Sequence, residues 1–551
     1  MTGAVRALGA GRWGVRVLEG RVVAVGCLLM ALSTADAQQS PIKISTDFVG
    51  DWSSWGLSGN QNKFRQYATG PRGFYLGHFD LRLADDLRDD ARFVLKAPGQ
   101  DDYRLSGLLR LNGGTTKIMV VDARNRFFDP DPAIANQSER RVSEGFLWQK
   151  LSRDFAISFR TRLDDQKLSI SEPSDTLVQT NRMTDVVARG SLWPNSIVDL
   201  SFADLRYDDH TGALPETSTQ IFSAGMMQQF GDSFALSGSY SRSRIRQPNS
   251  PPDKVEEYTF AGNLLLDADS RLLLSYRNER LTMPTVLMAY DRSRQQAKAR
   301  VIRRLGSGWN AQLGYSQLAL ERLTGDHAFV DVPRLHTLDI QVSGRFSRSA
   351  RMTATLTRQN MQGGAEMQTL DPRALYWNGR WDGRLKLNAS NERADAYLVF
   401  GWHQNRNSVR DVTIRHQGLT VGAEWNLKPE LEFYSEISTD IWSGHTSDPL
   451  SPDLNSFFPD ATTFTVGSNW TINERTWATA NYTFFNSQNS NPINLPETSV
   501  WGSFFTGTLH YKAGKDCELG LTVAPWQFAD HAAASRGYGA GIVRVEAKVK
   551  F

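Results

Sequence analysis

The chain ends in "GIVRVEAKVKF", and from Val543 to the last residue it alternates without a break. Val543, Val545, Ala547, Val549 and Phe551 are small or apolar, and Arg544, Glu546, Lys548 and Lys550 between them are charged. A period of two puts one set on each face of an extended strand. The same pattern recurs along the chain. In "FDLRLADD", Phe79, Leu81 and Leu83 alternate with Asp80 and Arg82. In "FAISFRTRL", Phe155, Ile157, Phe159 and Leu163 alternate with Ser158, Arg160 and Arg162. "LDIQVSGRF" sets Leu338, Ile340, Val342 and Phe346 against Asp339, Gln341, Ser343 and Arg345, and "LEFYSEISTDI" sets Leu431, Phe433, Ile437 and Ile441 against Glu432, Glu436 and Asp440. The chain beyond residue 37 holds no long amphipathic helix. Nor does it hold an apolar run of roughly 18 residues, which excludes membrane-spanning helices there.

The punctuation between strands alternates too. Short polar turns fall at Asn112, Ser152, Trp193, Gly231, Asp267, Gly306, Ser347, Asn388, Lys428, Asn473 and Ala513. Between successive short turns lies a longer loop rich in Pro, Asp, Asn and Ser, such as Arg246 to Lys254 or Ser443 to Ala461. Short turn, strand, long loop, strand is the layout of an outer-membrane barrel, with short periplasmic turns and long external loops. Taking "LSGNQNKFRQY" (Leu57 to Tyr67) as the first strand gives about 26 strands, an even number, with both ends on the short-turn side. Trp148, Trp193, Trp309, Trp425, Trp470 and Trp477 lie near short turns, where an interfacial aromatic girdle would place them. The expected fold is therefore all-β, a large transmembrane antiparallel β-barrel. A propeller or β-helix would show a fixed sequence period or a blade signature, and neither is present.

Composition hides this reading. With 40% hydrophobic and 22% charged residues the chain resembles a soluble protein, because a barrel strand needs only alternate positions apolar. The amino-terminal region has its own pattern. Arg6, Arg12, Arg16 and Arg21 precede the apolar run Val22 to Leu32 and the small residues around Asp36, "ADA". This predicts a signal peptide over 1–37, cleaved after Ala37, then a short periplasmic segment 38–56 and the barrel over 57–551. The segment takes four arginines and two acids from a formal charge of +3, so the mature chain is nearly neutral, and nucleic acid is not an expected partner. One cysteine, Cys517, remains after cleavage. With no C-x-x-C-H and nine scattered histidines, no haem, other cofactor or metal is expected on this chain, and no catalytic residue is assigned. An enzyme is not expected. The terminal strand ending on Phe551 offers free backbone groups to the machinery that assembles barrels in the outer membrane.

Barrels of 22 strands already hold a plug. Here only a short stretch separates Ala37 from the first expected strand, so no plug domain is expected and something else must fill the lumen. Arginine outnumbers lysine by more than three to one, and guanidinium forks suit carboxylates on the wall or on a guest. The segment "GNQNKFRQYATGPRGFYLGHFDLRL" (Gly59 to Leu83) resembles the start of MtrB/PioB-type outer-membrane proteins. That resemblance implies a barrel that sheathes a periplasmic multihaem c-type cytochrome and so forms an electron conduit across the outer membrane of a Gram-negative bacterium. Haem would then sit only on the partner. Some members carry a C-x-x-C near the mature amino terminus, and this chain has none. The alternative is a porin or channel for small solutes, with loops folded into the lumen.

Overall fold

The computed structural model describes residues 43–61, 64, 73–84, 90–96, 102–128, 137–169, 176–212, 214–283, 290–306, 308–322, 333–363, 377–408, 411–447, 460–488 and 499–551. The expected signal peptide, the start of the periplasmic segment and most of the loop after Ser443 lie outside these residues. The first strands are β1 (Lys43–Gly59), β2 (Gly73–Ala84), β3 (Asp90–Lys96), β4 (Tyr103–Leu111), β5 (Thr116–Phe128), β6 (Gln137–Lys150) and β7 (Phe155–Ser169). They are followed by β8 (Thr176–Gly190), β9 (Ser196–Asp209), β10 (Thr217–Phe230), β11 (Phe234–Arg246), β12 (Asp253–Leu265) and β13 (Ser270–Met283). Next come β14 (Tyr290–Gly306), β15 (Trp309–Arg322), β16 (Arg334–Arg345), β17 (Ala350–Gln362), β18 (Gly379–Ser390), β19 (Ala394–Asn407) and β20 (Val412–Lys428). The last are β21 (Leu431–Thr446), β22 (Asp460–Asn473), β23 (Thr476–Gln488), β24 (Ser499–Lys512), β25 (Cys517–Asp530) and β26 (Tyr538–Lys550), with one 3-10 turn at Ala534–Arg536.

These strands form one 26-stranded sheet. Each pairs antiparallel with its neighbour in sequence, and β1 pairs with β26, from Asp47 against Lys550 to Gly59 against Tyr538. The bare terminal residue extends this seam: Phe551 N–H donates to Thr46 O at 2.9 Å and Thr46 N–H returns to Phe551 O at 3.1 Å. Closure leaves the sheet without an edge, the condition for placing strands in hydrocarbon. One end carries tight connections, such as 429–430 and 474–475, and the other carries longer ones, such as 363–378. Glycine and asparagine supply the left-handed backbone that tight turns need, at Asn112 (φ 55°), Gly113 and Gly114, and again at Gly306 and Gly308. At another turn Asp267 accepts the backbone N–H of Asp269 at 2.8 Å, and that bond holds its carboxyl below the usual range.

The first strand differs from the sequence expectation. The barrel begins at Lys43, so most of the expected 38–56 segment is wall; of the expected strand Leu57 to Tyr67, Leu57 to Gly59 close β1, Asn60, Gln61 and Phe64 lie outside any strand, and the rest falls outside the described residues. The register explains why alternation failed to reveal β1. Between Phe48 and Gly56 its outward positions are Phe48, Gly50, Trp52, Ser54 and Gly56, and three of these five have no apolar bulk.

Register also fixes which way each side chain points. Val543 and Val545 on β26, Ile437 on β21, Leu313 on β15 and Phe260 on β12 all share the outward face, with Leu313 53% and Phe260 58% exposed. A continuous belt of such residues around a closed wall is a lipid-facing surface, not a water-facing one. At the short-turn end the belt is rimmed by rings. Phe230 stacks on Phe234 (5.6 Å), Trp309 meets Phe346 edge-on (5.1 Å), and Trp425 stacks on Phe433 (5.9 Å). Trp470 is exposed on the same rim. Trp148 and Trp477, expected in this girdle, face inward instead: Lys117 lies 4.8 Å from the Trp148 ring, and Trp477 stacks on His510 at 5.0 Å. Nearness to a turn sets a residue's height, but strand parity sets its face.

A cationic replacement in mid-belt tests this assignment. Val545→Arg should lower the stability of the folded barrel by about 2–4 kcal/mol, while the inward Lys548→Arg should leave it within about 0.5 kcal/mol. Urea titration in vesicles, followed by heat-modifiable mobility, measures both.

Candidate functional site

The sequence nominates no catalytic, cofactor-binding or metal-ligating residue. Among the described residues no group of three or more His, Cys, Asp or Glu is placed to hold a metal ion. Cys517 is a free, half-buried thiol at the start of β25, on the outward parity with Leu519 and Leu521. The candidate site is therefore the inward face itself, which divides into sectors of different charge chemistry.

From the seam through β9 the inward face is a carpet of ion pairs. Asp51, whose side chain is fully buried, accepts Arg544 at 2.9 Å across β1 and β26. Asp80 is held between Arg92 (2.7 Å) and Arg82 (2.9 Å), and Asp164 between Arg140 (2.6 Å) and Arg162 (3.2 Å). Arg160 reaches its cross-strand partner Asp185 at 2.7 Å. Facing positions on adjacent strands lie close enough for such pairs, and guanidinium geometry favours them. The arginines are 39–53% exposed at Arg82, Arg92, Arg140, Arg160 and Arg162. Each such pair therefore contributes about 0–1 kcal/mol, and the carpet fixes side chains more than it stabilises the wall. On β10 and β11 the lining turns neutral, with Ser223 bonded to Ser241 at 3.1 Å and Ser239 to Thr259 of β12.

From β13 to β18 the lining changes character. Arg271, Lys298, Arg300 and Arg304 point inward from β13 and β14. Arg345, Arg351, Arg384 and Lys386 do so from β16, β17 and β18. All are exposed, and within the described residues none of these eight side chains makes an ion pair or a hydrogen bond. Asp339 is the one carboxylate on the inward faces of β14 to β17 among the described residues, and it accepts the Thr357 hydroxyl at 2.7 Å. The next sector reverses the sign. Asp395, Glu424, Glu432, Glu436 and Asp440 face inward from β19, β20 and β21. Asn469 donates to Glu432 at 2.8 Å, Tyr397 to Glu436, and His416 contacts Asp440 at 2.8 Å. Among the described residues, the inward faces of β19 to β23 carry no lysine or arginine.

The long-loop end of the seam is closed from within by rings. Phe64, only 1% exposed, lies among Trp55 (5.1 Å), Tyr538 (5.7 Å) and Trp526 (6.3 Å), with Phe504 and Phe528 packed behind. Gly59 makes this possible. Its φ of +88° turns the chain inward, and a Cβ there would sit 2.3 Å from Gly537 O. Asn60 then anchors the entry, its N–H on Gly537 O at 2.8 Å and its side-chain amide on Ser535 O at 3.1 Å. Gly59, Asn60 and Phe64 belong to the segment that carries the family resemblance, so that segment begins as an internal latch rather than as a strand. The latch and the charged sectors were not singled out from the sequence. A signal for the basic sector exists in "AKARVIRR", where Lys298, Arg300 and Arg304 share one parity.

No family model and no curated protein matches the chain. Among solved structures it is similar to the FrpB iron transporter from Neisseria meningitidis. The F5-1 variant aligns with a TM-score of 0.53 at 9% identity, over 92% of this chain and 82% of that one. The F3-3 variant aligns with a TM-score of 0.50 at 9% identity, over 94% and 82%. At such identity the likeness is one of fold. Together with the apolar belt it defines the class: a large transmembrane β-barrel.

The latch has a measurable consequence. Phe64→Ala removes a buried ring from a packed cluster and should cost about 3 kcal/mol or more, read as a lower urea midpoint for the folded barrel. Phe74→Ala, at an outward position 88% exposed and outside the cluster, should lower it less.

Proposed function

We propose that this chain is an outer-membrane β-barrel, exported through a cleaved signal peptide, that sheathes a separate polypeptide in its lumen. In the finer form of the reading, the guest is a multihaem c-type cytochrome and the pair conducts electrons across the membrane. The observation that carries the proposal is the lining: 26 closed strands surround an inward face of charged and hydroxyl side chains, and among the described residues cations such as Arg300 and Arg384 have no partner in the wall. A bare lumen of that girth would breach the membrane barrier, and the chain has no C-x-x-C-H of its own. The barrel's part is insulation and placement. Its outer belt faces lipid, and its inner polar groups hold the guest through hydrogen bonds and Arg–carboxylate pairs. It takes no part in covalent chemistry. The seam pairing of Thr46 with Phe551 supports recognition of the terminal strand by the assembly machinery.

A second reading has its own support. The FrpB structures, similar in fold, are those of an iron transporter, which favours passage of a small solute through a loop-narrowed lumen.

Two experiments decide. In this reading the short turns are periplasmic. A cysteine replacing Asn249 should then react with an impermeant maleimide on intact cells, and one replacing Ser152 should not; the reverse pattern would sink the orientation. For the function, tagged barrel purified from its native membranes should carry covalently bound c-type haem on a second chain. Proteoliposomes holding both chains should reduce or oxidise an enclosed dye from outside, and those holding the barrel alone should not. A haem-free barrel that selectively conducts one class of small solute would establish the second reading instead.

A further inference from the structure

The basic sector asks for an occupant. Cations within the ion-paired carpet already have carboxylates 2.6–3.3 Å away at Asp164, Asp185 and Asp122. On β13 to β18, Arg277 pairs with Glu257 and Glu279 and Arg380 with Asp382, but Arg271, Lys298, Arg300, Arg304, Arg345, Arg351, Arg384 and Lys386 have none within the described residues. Five strand-to-strand steps of about 4.8 Å make this sector about 24 Å wide, and the rise from Lys298 to Arg304 makes it about 20 Å tall. A small anion would touch two or three of these eight unpaired cations and leave the rest facing one another. A surface of roughly 500 Å², by contrast, is of the order of one partner's share of a protein interface, about 800 Å². The wall next to it is acidic on β19 to β21, so the lining presents a positive panel and a negative panel side by side. Complementary panels on a partner would fix its rotation as well as its position, because turning it would bring like charges together. Both panels reach the short-turn end: Arg304 precedes the turn at 307–308, Arg351 follows that at 346–349, and Glu432 follows that at 429–430.

We propose that the inward faces of β13 to β18 are a docking wall for an acidic face of the polypeptide lodged in the lumen, and that the neighbouring acidic strip on β19 to β21 sets that polypeptide's rotation. This rests on the sheath reading and specifies the chemistry of the guest: carboxylate-rich where it meets Arg300 and Arg384, basic where it meets Glu424 and Glu436. The guest enters from the short-turn end.

The test uses the purified full-length barrel in planar bilayers, with poly-L-glutamate, poly-L-lysine of equal length and inorganic phosphate as probes. Added on the short-turn side at low salt, poly-L-glutamate should block the conductance at a concentration at least tenfold below that of poly-L-lysine. Raising the salt to 1 M should abolish the difference. The variant K298Q/R300Q/R351Q/R384Q should lose the preference while keeping heat-modifiable mobility, and the pair R300Q/R351Q should lose part of it. Equal block by the two polymers would overturn the proposal. So would a preference that survives in the folded quadruple variant. Phosphate blocking at poly-L-glutamate concentrations would also overturn it, since the wall would then be a small-anion site. Because no cytochrome is present, these outcomes are independent of whether haem co-purifies. A barrel that prefers poly-L-glutamate yet carries no haem in its native membranes would retain the docking wall and refute the cytochrome.

Discussion

Everything in this molecule depends on closure between β1 and β26. In hydrocarbon a strand cannot leave backbone N–H and C=O groups unpaired, since each would cost several kcal/mol. A sheet of any width therefore fails until its last strand meets its first. Here the meeting is made along the whole of β26, to the terminal residue, where Phe551 and Thr46 exchange both backbone hydrogen bonds. The inside of the same seam carries buried side-chain contacts. The buried Asp51–Arg544 pair lies toward its middle, and the Phe64 latch lies at its long-loop end. A break there would reopen two edges at once, which gives a physical reason for concentrating buried groups beside the join.

Closure in turn makes the period of two functional. Once inside and outside exist, each strand serves two solvents on alternate residues. The outward set has one task and is mostly apolar: Leu, Val, Ile and Phe, rimmed by Trp and Phe. The inward set is free to vary around the circumference, and it does. The ion-paired carpet, the serine-lined patch, the basic panel and the acidic panel all share one backbone geometry and differ only in which side chains occupy the inward parity. Function in such a fold is written around the circumference as charge, not gathered at one cluster of reactive groups.

Most of the architecture was legible in the sequence for the same reason. Alternation in "FAISFRTRL" and "GIVRVEAKVKF" gives strand and face together, and the turn residues at Asn112, Gly231 and Lys428 give the short-turn end. The failures are equally physical. β1 was placed too late because Gly50, Ser54 and Gly56 dilute its outward face, so the hydrophobic signal disappears while the backbone pairing remains. Trp148 and Trp477 were assigned to the girdle from height alone, and parity sends them inward. The latch could not be read, because Phe64 packs against Trp55, Trp526 and Tyr538, and the last two are distant in sequence. The charged panels are legible strand by strand, in "AKARVIRR" and "LEFYSEISTD", but their meaning lies in adjacency around the barrel, and only the register supplies that.

The central claim, that a second polypeptide fills the lumen, is tested most directly by neighbouring positions that face opposite ways. Thr355 points inward on β17 and Leu356 points outward. A photo-crosslinking residue placed at each, and activated in native membranes, should give a covalent adduct carrying c-type haem from position 355 and none from position 356. No polypeptide adduct from position 355, in barrels shown to be folded and inserted, would contradict the account.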